Sequence, residues 1–207
     1  MRRSVASHSA LLNVAIIPSP PVSKAVSCIS AELAKRGGIF EVDGIRRIPH
    51  ITLYMARIEK EKFDVLATKF RELAGALPAV PVRHVGYHLT DGLYYEVSYR
   101  RDELVPLHLA ATESMYTFRY SPGDPVKEEY FGPYSEAQRL NARKWGYDLV
   151  GDLYRPHITI TRFAEPPTGD LPVPEADLSF QVNNIGLFRA DDYGALVEPL
   201  AVLQVGA

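Results

Sequence analysis

The chain has 207 residues, of which 46% are apolar and 23% are charged, close to the average of soluble globular proteins. Its formal net charge of −2 excludes a protein that holds long nucleic acid through many phosphate contacts, whereas a small anionic substrate or the end of a strand is compatible with it. The single cysteine, Cys28, excludes an internal disulfide framework and a cysteine-rich zinc site.

The first half of the chain predicts two helices that alternate with strands. The apolar run 11–17 ends at prolines, which favours a buried strand over the apolar part of a secretory signal. Apolar residues then recur twice at helical spacing, and Asp91-Gly92 is a strong hairpin-turn signal. The predicted elements are a strand over 11–17, a helix around 22–33, a strand over 49–55, a helix over 63–77, and two strands over 81–89 and 93–99.

The second half repeats this order less regularly. Ser135 and Gln138 form the pattern of a capping box, which opens a helix after the loop-like stretch 121–133. The predicted elements are a helix around 104–115, the capped helix, a strand near 156–163, a Pro-rich loop over 165–174, and two strands over 178–188 and 195–205. Mixed helices and hairpins of this kind predict an α+β fold, with a hint of internal duplication.

The tetrapeptide Pro-His-Ile-Thr occurs twice, at 49–52 and at 156–159. A chance repeat of a given tetrapeptide has odds on the order of one in a thousand, and both copies open an apolar, β-rich run. A third His-x-Thr triplet, His88-Leu89-Thr90, lacks the proline and abuts a hairpin turn. We interpret the third triplet as a decoy and the repeated tetrapeptide as a functional motif.

Strand geometry indicates which chemistry the repeated motif could perform. Residues i and i+2 of a strand point to the same face, so each motif presents one imidazole and one hydroxyl together. Two histidines can serve as acid and base for displacement at phosphorus near neutral pH. Threonine hydroxyls can donate hydrogen bonds to the phosphate oxygens. The pattern lacks the neighbouring carboxylate or second histidine of a metal ligand set, so we expect no metal and no cofactor.

These motifs resemble those of the two-histidine (2H) phosphoesterase superfamily, which includes 2′,5′ RNA ligase-like proteins and cyclic nucleotide phosphodiesterases. The resemblance covers nearly the whole chain and implies one bilobal α+β domain over 1–207, with two antiparallel sheets flanking a central cleft and helices on the outside. It further implies action on 2′,3′-cyclic, 1″,2″-cyclic or 2′,5′-linked phosphodiesters. By this analogy His50 and His157 are the acid–base pair, and Thr52 and Thr159 hold the phosphate.

Four further residues are weaker candidates for substrate binding. Tyr54 and Thr161 continue the parity of the two motif strands, so they either line the cleft or pack at its floor. Tyr130 and Phe131 lie in the loop-like stretch, where an aromatic ring can stack on a base or anchor the loop. The substrate is expected to be a small nucleotide or an RNA end.

Two other functions stay open at this point. The first is a nucleotide or RNA-end binding module that has the same cleft but no turnover. The second is a metal-dependent hydrolase that uses the histidines as ligands. No apolar stretch of the sequence is long enough to span a bilayer, and we expect a cytoplasmic monomer.

Overall fold

The computed structural model describes residues 8–120, 134–171 and 173–206. Their elements follow the predicted order, with two additional short strands. The strands are β1 (Ser9–Ile17), β2 (Ile51–Glu59), β3 (Pro81–Val82), β4 (His84–Thr90), β5 (Tyr94–Tyr99), β6 (His157–Arg162), β7 (Phe180–Gln181), β8 (Asn184–Ala190) and β9 (Leu196–Gln204). The helices are α1 (Pro20–Ala34), α2 (Phe63–Ala76), α3 (Val105–Met115) and α4 (Glu136–Trp145).

The strands form antiparallel sheets. One sheet has the order β2-β1-β8-β9, a second has the order β4-β5-β6, and β3 pairs with β7 in a small third sheet. The predicted α+β class with two antiparallel sheets is therefore confirmed. The third sheet was not predicted, because the expected strands over 81–89 and 178–188 are each divided into a two-residue strand and a longer one.

Both motif strands lie at the edge of their sheets. β2 is an outer strand of the four-stranded sheet, and β6 is an outer strand of the three-stranded sheet. These two strands are not hydrogen-bonded to each other, yet Cα atoms of β2 and β6 come within 8 Å. The fold therefore places the two motifs, which are far apart in sequence, on neighbouring strands of different sheets.

One apolar cluster includes residues of both larger sheets. α1 follows β1 in the chain but packs against β6 of the other sheet, where the Ser30 hydroxyl donates to the Ile160 carbonyl at 2.8 Å. α2 packs against β8 and β9, and α3 against β2. This shared core fixes the relative position of the sheets. Within the described ranges, no helix combines the length and apolar character needed to cross a membrane.

The structure confirms two local features predicted from the sequence, the capping box and the hairpin turn. Ser135 and Gln138 make the reciprocal bonds of a capping box at the start of α4, and Gly146 ends that helix with φ of 76°. Asp91 and Gly92 both adopt positive φ, 51° and 71°, as the tight β4–β5 hairpin requires.

Candidate active site

The two motif histidines are held in the same way. The Nδ1 atom of His50 donates to the carbonyl of Ile48 at 2.8 Å, and the Nδ1 atom of His157 donates to the carbonyl of Arg155 at 2.7 Å. In each case the acceptor lies two residues before the ring, ahead of the motif proline. A proton on Nδ1 makes Nε2 the basic atom of the neutral ring. In the neutral form, the rings of both motifs therefore carry the basic lone pair on the same atom, Nε2.

Burial follows the predicted alternation within each motif. Ile51, Leu53, Ile158 and Ile160 are at most 1% exposed, whereas the motif histidines and threonines are half-buried. A slip of one residue would bury the imidazoles and expose these apolar side chains, so the core fixes the register of both strands.

A β-bulge follows the motif threonine in β2. Thr52 is paired with Ala15 and Tyr54 with Val14, so Leu53 is the extra residue. An extra residue reverses the alternation of side chains, which places Tyr54 on the face opposite to Thr52. There Tyr54 is 2% exposed, its hydroxyl donates to a main-chain carbonyl of α4, and burial raises its pKa. The parity prediction for Tyr54 fails because of the bulge, and this residue packs in the core.

A second bulge occurs at the same motif position in β6. Glu96 pairs with Thr159 and Tyr95 with Thr161, so the residue between them is extra. Thr161 is fully buried and donates to the Phe40 carbonyl at 2.8 Å, on the face opposite to Thr159. Thr161 therefore fails the parity prediction for the same reason as Tyr54. The bulge instead turns Arg162, which sequence reasoning missed, to the face of Thr159.

The register of β4, β5 and β6 defines one face of the three-stranded sheet, here called the site face. Cross-strand partners project to the same side. The site face carries three rows of partners: Gly86, Ser98 and His157; His88, Glu96 and Thr159; Thr90, Tyr94 and Arg162. The triplet that was interpreted as a decoy therefore places His88 and Thr90 on the same face as the second motif.

Glu96 is a buried acid in the centre of the site face. It is 3% exposed, and its Oε1 atom lies 3.4 Å from Nε2 of His157. Its Oε2 atom accepts a hydrogen bond from the Thr90 hydroxyl at 2.7 Å and lies 3.3 Å from Nη2 of Arg155. Sequence reasoning missed Glu96, although it is the one charged residue of the strand Tyr94–Tyr99.

Thr52 has a buried partner on β1. The Nδ2 atom of Asn13 donates to the Thr52 hydroxyl oxygen at 2.9 Å, and Asn13 is fully buried. The Oδ1 atom of Asn13 has no hydrogen-bond partner among the described residues. Because the amide occupies a lone pair of the hydroxyl oxygen, the Thr52 proton is directed away from Asn13.

Three further sequence candidates are Tyr130, Phe131 and Arg46. Tyr130 and Phe131 lie outside the described residues. Arg46, which precedes the first motif, is exposed and pairs with Asp43 at 3.0 Å. Hydrogen bonds from backbone amides lower the pKa of the Asp43 carboxyl.

Among residues 8–120, 134–171 and 173–206, no group of three or more His, Cys, Asp and Glu side chains is placed to hold a metal ion.

Comparison with solved structures shows that the chain shares its fold with E. coli LigT, with a protein described as a phosphoesterase and with TT0787 of Thermus thermophilus. E. coli LigT matches with a TM-score of 0.61 and 16% identity, over 97% of this chain and 99% of LigT. TT0787 of Thermus thermophilus matches with a TM-score of 0.60 and 15% identity, over 95% of this chain and 98% of TT0787. LigT has also been solved in complex with 3′-AMP and with phosphate. No family model matches the sequence, and no curated protein matches it.

Proposed function

We propose that the chain is a metal-independent phosphoesterase that acts on a cyclic (2′,3′ or 1″,2″) or 2′,5′-linked phosphodiester of a nucleotide or RNA end. The observation that carries the proposal is the matched pair of His-x-Thr motifs, each with Nδ1 bonded to the carbonyl two residues earlier. The fold shared with LigT, which binds 3′-AMP and phosphate in its solved complexes, supports this substrate class. The modest net charge of −2 suits a small substrate.

In the proposed reaction, the two histidines act on opposite sides of one phosphate. One Nε2 atom removes a proton from water while the water oxygen attacks phosphorus. The bond from phosphorus to one ribose oxygen breaks, and the Nε2–H group of the other histidine protonates that oxygen. Water is thereby added across the cyclic ester, which opens to a phosphomonoester, and the two rings exchange protonation states.

The motif threonines bind the phosphate in this mechanism. Negative charge grows on the non-bridging oxygens in the transition state, where a fixed hydroxyl donor is most effective. Thr52 and Thr159 follow their histidines by two residues on the same face, so hydroxyl and imidazole reach one phosphate together. Arg162 shares the site face with Thr159 and adds positive charge to it.

The test is hydrolysis of 2′,3′-cyclic nucleotides in excess chelator. We expect steady turnover to the monophosphate, unchanged by EDTA, because the proposed acid and base are both side chains. Binding without turnover of any cyclic or 2′,5′-linked substrate would support a binding module instead. Activity that disappears with EDTA and returns with zinc or manganese would support a metal-dependent hydrolase.

The pH dependence of kcat/KM is a second test of the proposed reaction. The free enzyme needs one neutral and one protonated histidine, so kcat/KM should follow a bell-shaped curve between about pH 5 and 8. The rates are measured with a saturating chelator at constant ionic strength. A flat profile over this range contradicts acid–base catalysis by two imidazoles.

Asn13 offers a way to separate catalysis from stability. In Asn13→Leu, the Thr52 hydroxyl loses the amide that orients it, and we expect kcat/KM to fall about tenfold. The free energy of unfolding should stay constant or rise by about 1 kcal/mol, because the substitution also removes a buried Oδ1 atom that has no hydrogen-bond partner in the described part of the chain. Urea unfolding and initial rates measure the two effects.

The control for this prediction is a double-mutant cycle with Thr52→Val. Once the Thr52 hydroxyl is gone, Asn13→Leu should produce no further loss of activity. An equal loss in both backgrounds would show that Asn13 acts on the reaction by a route other than Thr52.

A further inference from the structure

The threonine of the third His-x-Thr triplet contacts residues that lead to the second motif. We propose, on the basis of the function proposed above, that Thr90, Glu96 and Arg155 form a hydrogen-bonded network that positions the imidazole of His157. The network holds Arg155 in place, and the main-chain carbonyl of Arg155 orients the ring. Thr90 is thus a positioning residue, which acts through Arg155 and His157 without contacting the substrate.

The three side chains of the network contact one another in a closed ring. Nη1 of Arg155 donates to the Thr90 hydroxyl oxygen at 2.8 Å, and the Thr90 hydroxyl donates to Oε2 of Glu96 at 2.7 Å. Nη2 of Arg155 lies 3.3 Å from the same Oε2 atom. A threonine hydroxyl has one proton and two lone pairs, so it can donate and accept at once. The hydroxyl of Thr90 is therefore shared by both hydrogen bonds.

The burial of the three side chains differs, and this gives the network a fixed end. Glu96 is 3% exposed and lies in a packed sheet, where few other rotamers are open to it. Thr90 is half-buried, and the side chain of Arg155 is 45% exposed. A long, exposed arginine loses much rotamer freedom when it is held. Its planar guanidinium, however, can reach Thr90 and Glu96 together, which fixes its direction.

The network reaches the catalytic ring through the main chain of Arg155. The carbonyl of Arg155 accepts a hydrogen bond from Nδ1 of His157 at 2.7 Å. The preceding carbonyl, that of Tyr154, accepts from Nε of Arg101 at 3.1 Å. The side chain of Arg155 adds a further anchor, which connects this segment to β4 and β5. The group that orients His157 thus belongs to a residue that is held at several points.

The orientation of the ring matters because a proton is transferred over a short distance. A catalytic imidazole must lie within hydrogen-bond reach of the atom that gives or takes the proton, and a displacement of about 1 Å can cost up to a hundredfold in rate. The bond to Nδ1 restrains rotation of the His157 ring and therefore the position of Nε2. Thr159, which binds the phosphate in the proposed mechanism, is not a member of the network. Loss of the network should therefore lower kcat and change KM little.

The first test measures the mobility of the ring itself. The protein is labelled with ¹³C-histidine, and the His157 signal is identified by its loss in His157→Ala. We expect the order parameter of the ring C–H bonds to fall by about 0.2 in Thr90→Val, which removes the hydroxyl at nearly constant volume. Thr90→Ser keeps the hydroxyl and should show the order parameter of the wild type.

The second test measures kcat and KM of the same variants with 2′,3′-cyclic nucleotides, with rates expressed per folded protein. In Thr90→Val we expect kcat to fall about tenfold and KM to stay within about twofold, whereas Thr90→Ser should restore kcat to within about twofold. The matched control is Thr68→Val, which removes a hydroxyl that donates to the Asp64 carbonyl at 3.2 Å in α2. This control should leave kcat and the ring mobility unchanged.

The third test approaches the network from its other end. Arg155→Lys keeps the positive charge but removes the planar group that reaches Thr90 and Glu96 together. We expect the same loss of kcat as in Thr90→Val, and the double variant should be no slower than the slower single variant. Because the side chain of Arg155 is 45% exposed, this variant keeps the proposal testable even if Thr90→Val does not fold.

Three results would each overturn the proposal. The first is a wild-type kcat in folded Thr90→Val or Arg155→Lys, and the second is a Thr90→Ser variant as slow as Thr90→Val. The third is a double variant whose loss equals the product of the single losses. If the wild type hydrolyses no phosphodiester, the proposed function fails, and the relaxation data still decide whether the network restrains the ring of His157.

Discussion

Replacing either motif histidine, in His50→Ala or His157→Ala, should lower kcat/KM for 2′,3′-cyclic nucleotides by about a thousandfold. General acid–base catalysis contributes roughly 10²–10⁴-fold per group, and each ring occupies one side of the proposed displacement. Because acid and base act in one step, the double variant should lose much less than the product of the two single losses. Initial rates at the pH optimum, with protein purified in EDTA, measure these effects.

The third His-x-Thr triplet supplies the matched control for this experiment. His88 lies on the site face, but it has neither the preceding proline nor a place on one of the two facing edge strands. We expect His88→Ala to lose less than tenfold in kcat/KM. If His88→Ala lost as much as the motif variants, or if either motif variant stayed within tenfold of the wild type, the assignment of catalysis to the repeated tetrapeptide would be wrong.

The motif strands could be predicted from the sequence because their information is local. The alternation of His50, Ile51, Thr52 and Leu53 determines which face is buried, and this needs no knowledge of the neighbouring strand. The hairpin at Asp91-Gly92 and the capping box at Ser135 are equally local, since each depends on a few adjacent residues. These are the elements that the structure confirms.

The bulges could not be predicted, because a bulge is a property of two strands. Whether Leu53 is paired or extra depends on the register of β2 against β1, and for Ile160 on the register of β6 against β5. A single-strand argument therefore placed Tyr54 and Thr161 on the wrong face.

Glu96 illustrates a second limit of sequence reasoning. A lone acid in a mostly uncharged strand can be noticed in the sequence, but its role depends on His157, the first residue of β6, and on Arg155, which lies two residues before that strand. The sequence could predict that two imidazoles are needed. It could not predict that Glu96 lies beside the ring of His157.

His108 is a buried histidine that connects Leu53, just after the first motif, to Gly151, a few residues before the second. Its Nδ1 atom donates to the carbonyl of Leu53, the bulge residue of β2, at 2.6 Å. Its Nε2 atom accepts from the amide of Gly151 at 3.1 Å, and its ring stacks on Tyr154 with a centroid distance of 3.9 Å. The hydrogen bond from Gly151 requires the neutral ring with its proton on Nδ1, because a protonated Nε2 cannot accept. His108 thus ties β2 to the chain that enters β6.

This arrangement should make the fold sensitive to acid. Burial, aided by the charge of Arg101, lowers the pKa of His108 to about 4, against the raising effect of the hydrogen bond to Leu53. In the unfolded chain the pKa returns to about 6.5. The contribution of His108 is therefore complete above pH 6.5 and is lost as the pH falls to 4, because the unfolded chain takes up a proton that the folded protein excludes. The loss amounts to about 3 kcal/mol.

Urea unfolding of wild type and His108→Phe at pH 7.5 and 4.5 measures this contribution. At pH 7.5 the variant should be less stable by about 2–4 kcal/mol, since it leaves the Leu53 carbonyl and the Gly151 amide without a partner. At pH 4.5 most of that difference should disappear, because only the wild type carries the proton-linked loss.

Tyr154→Phe is the control: it keeps the stacked ring and removes a buried hydroxyl without a hydrogen-bond partner among the described residues, so its pH dependence should follow that of the wild type. Parallel pH dependence of wild type and His108→Phe would contradict the argument, because it would mean that His108 excludes no proton in the folded protein.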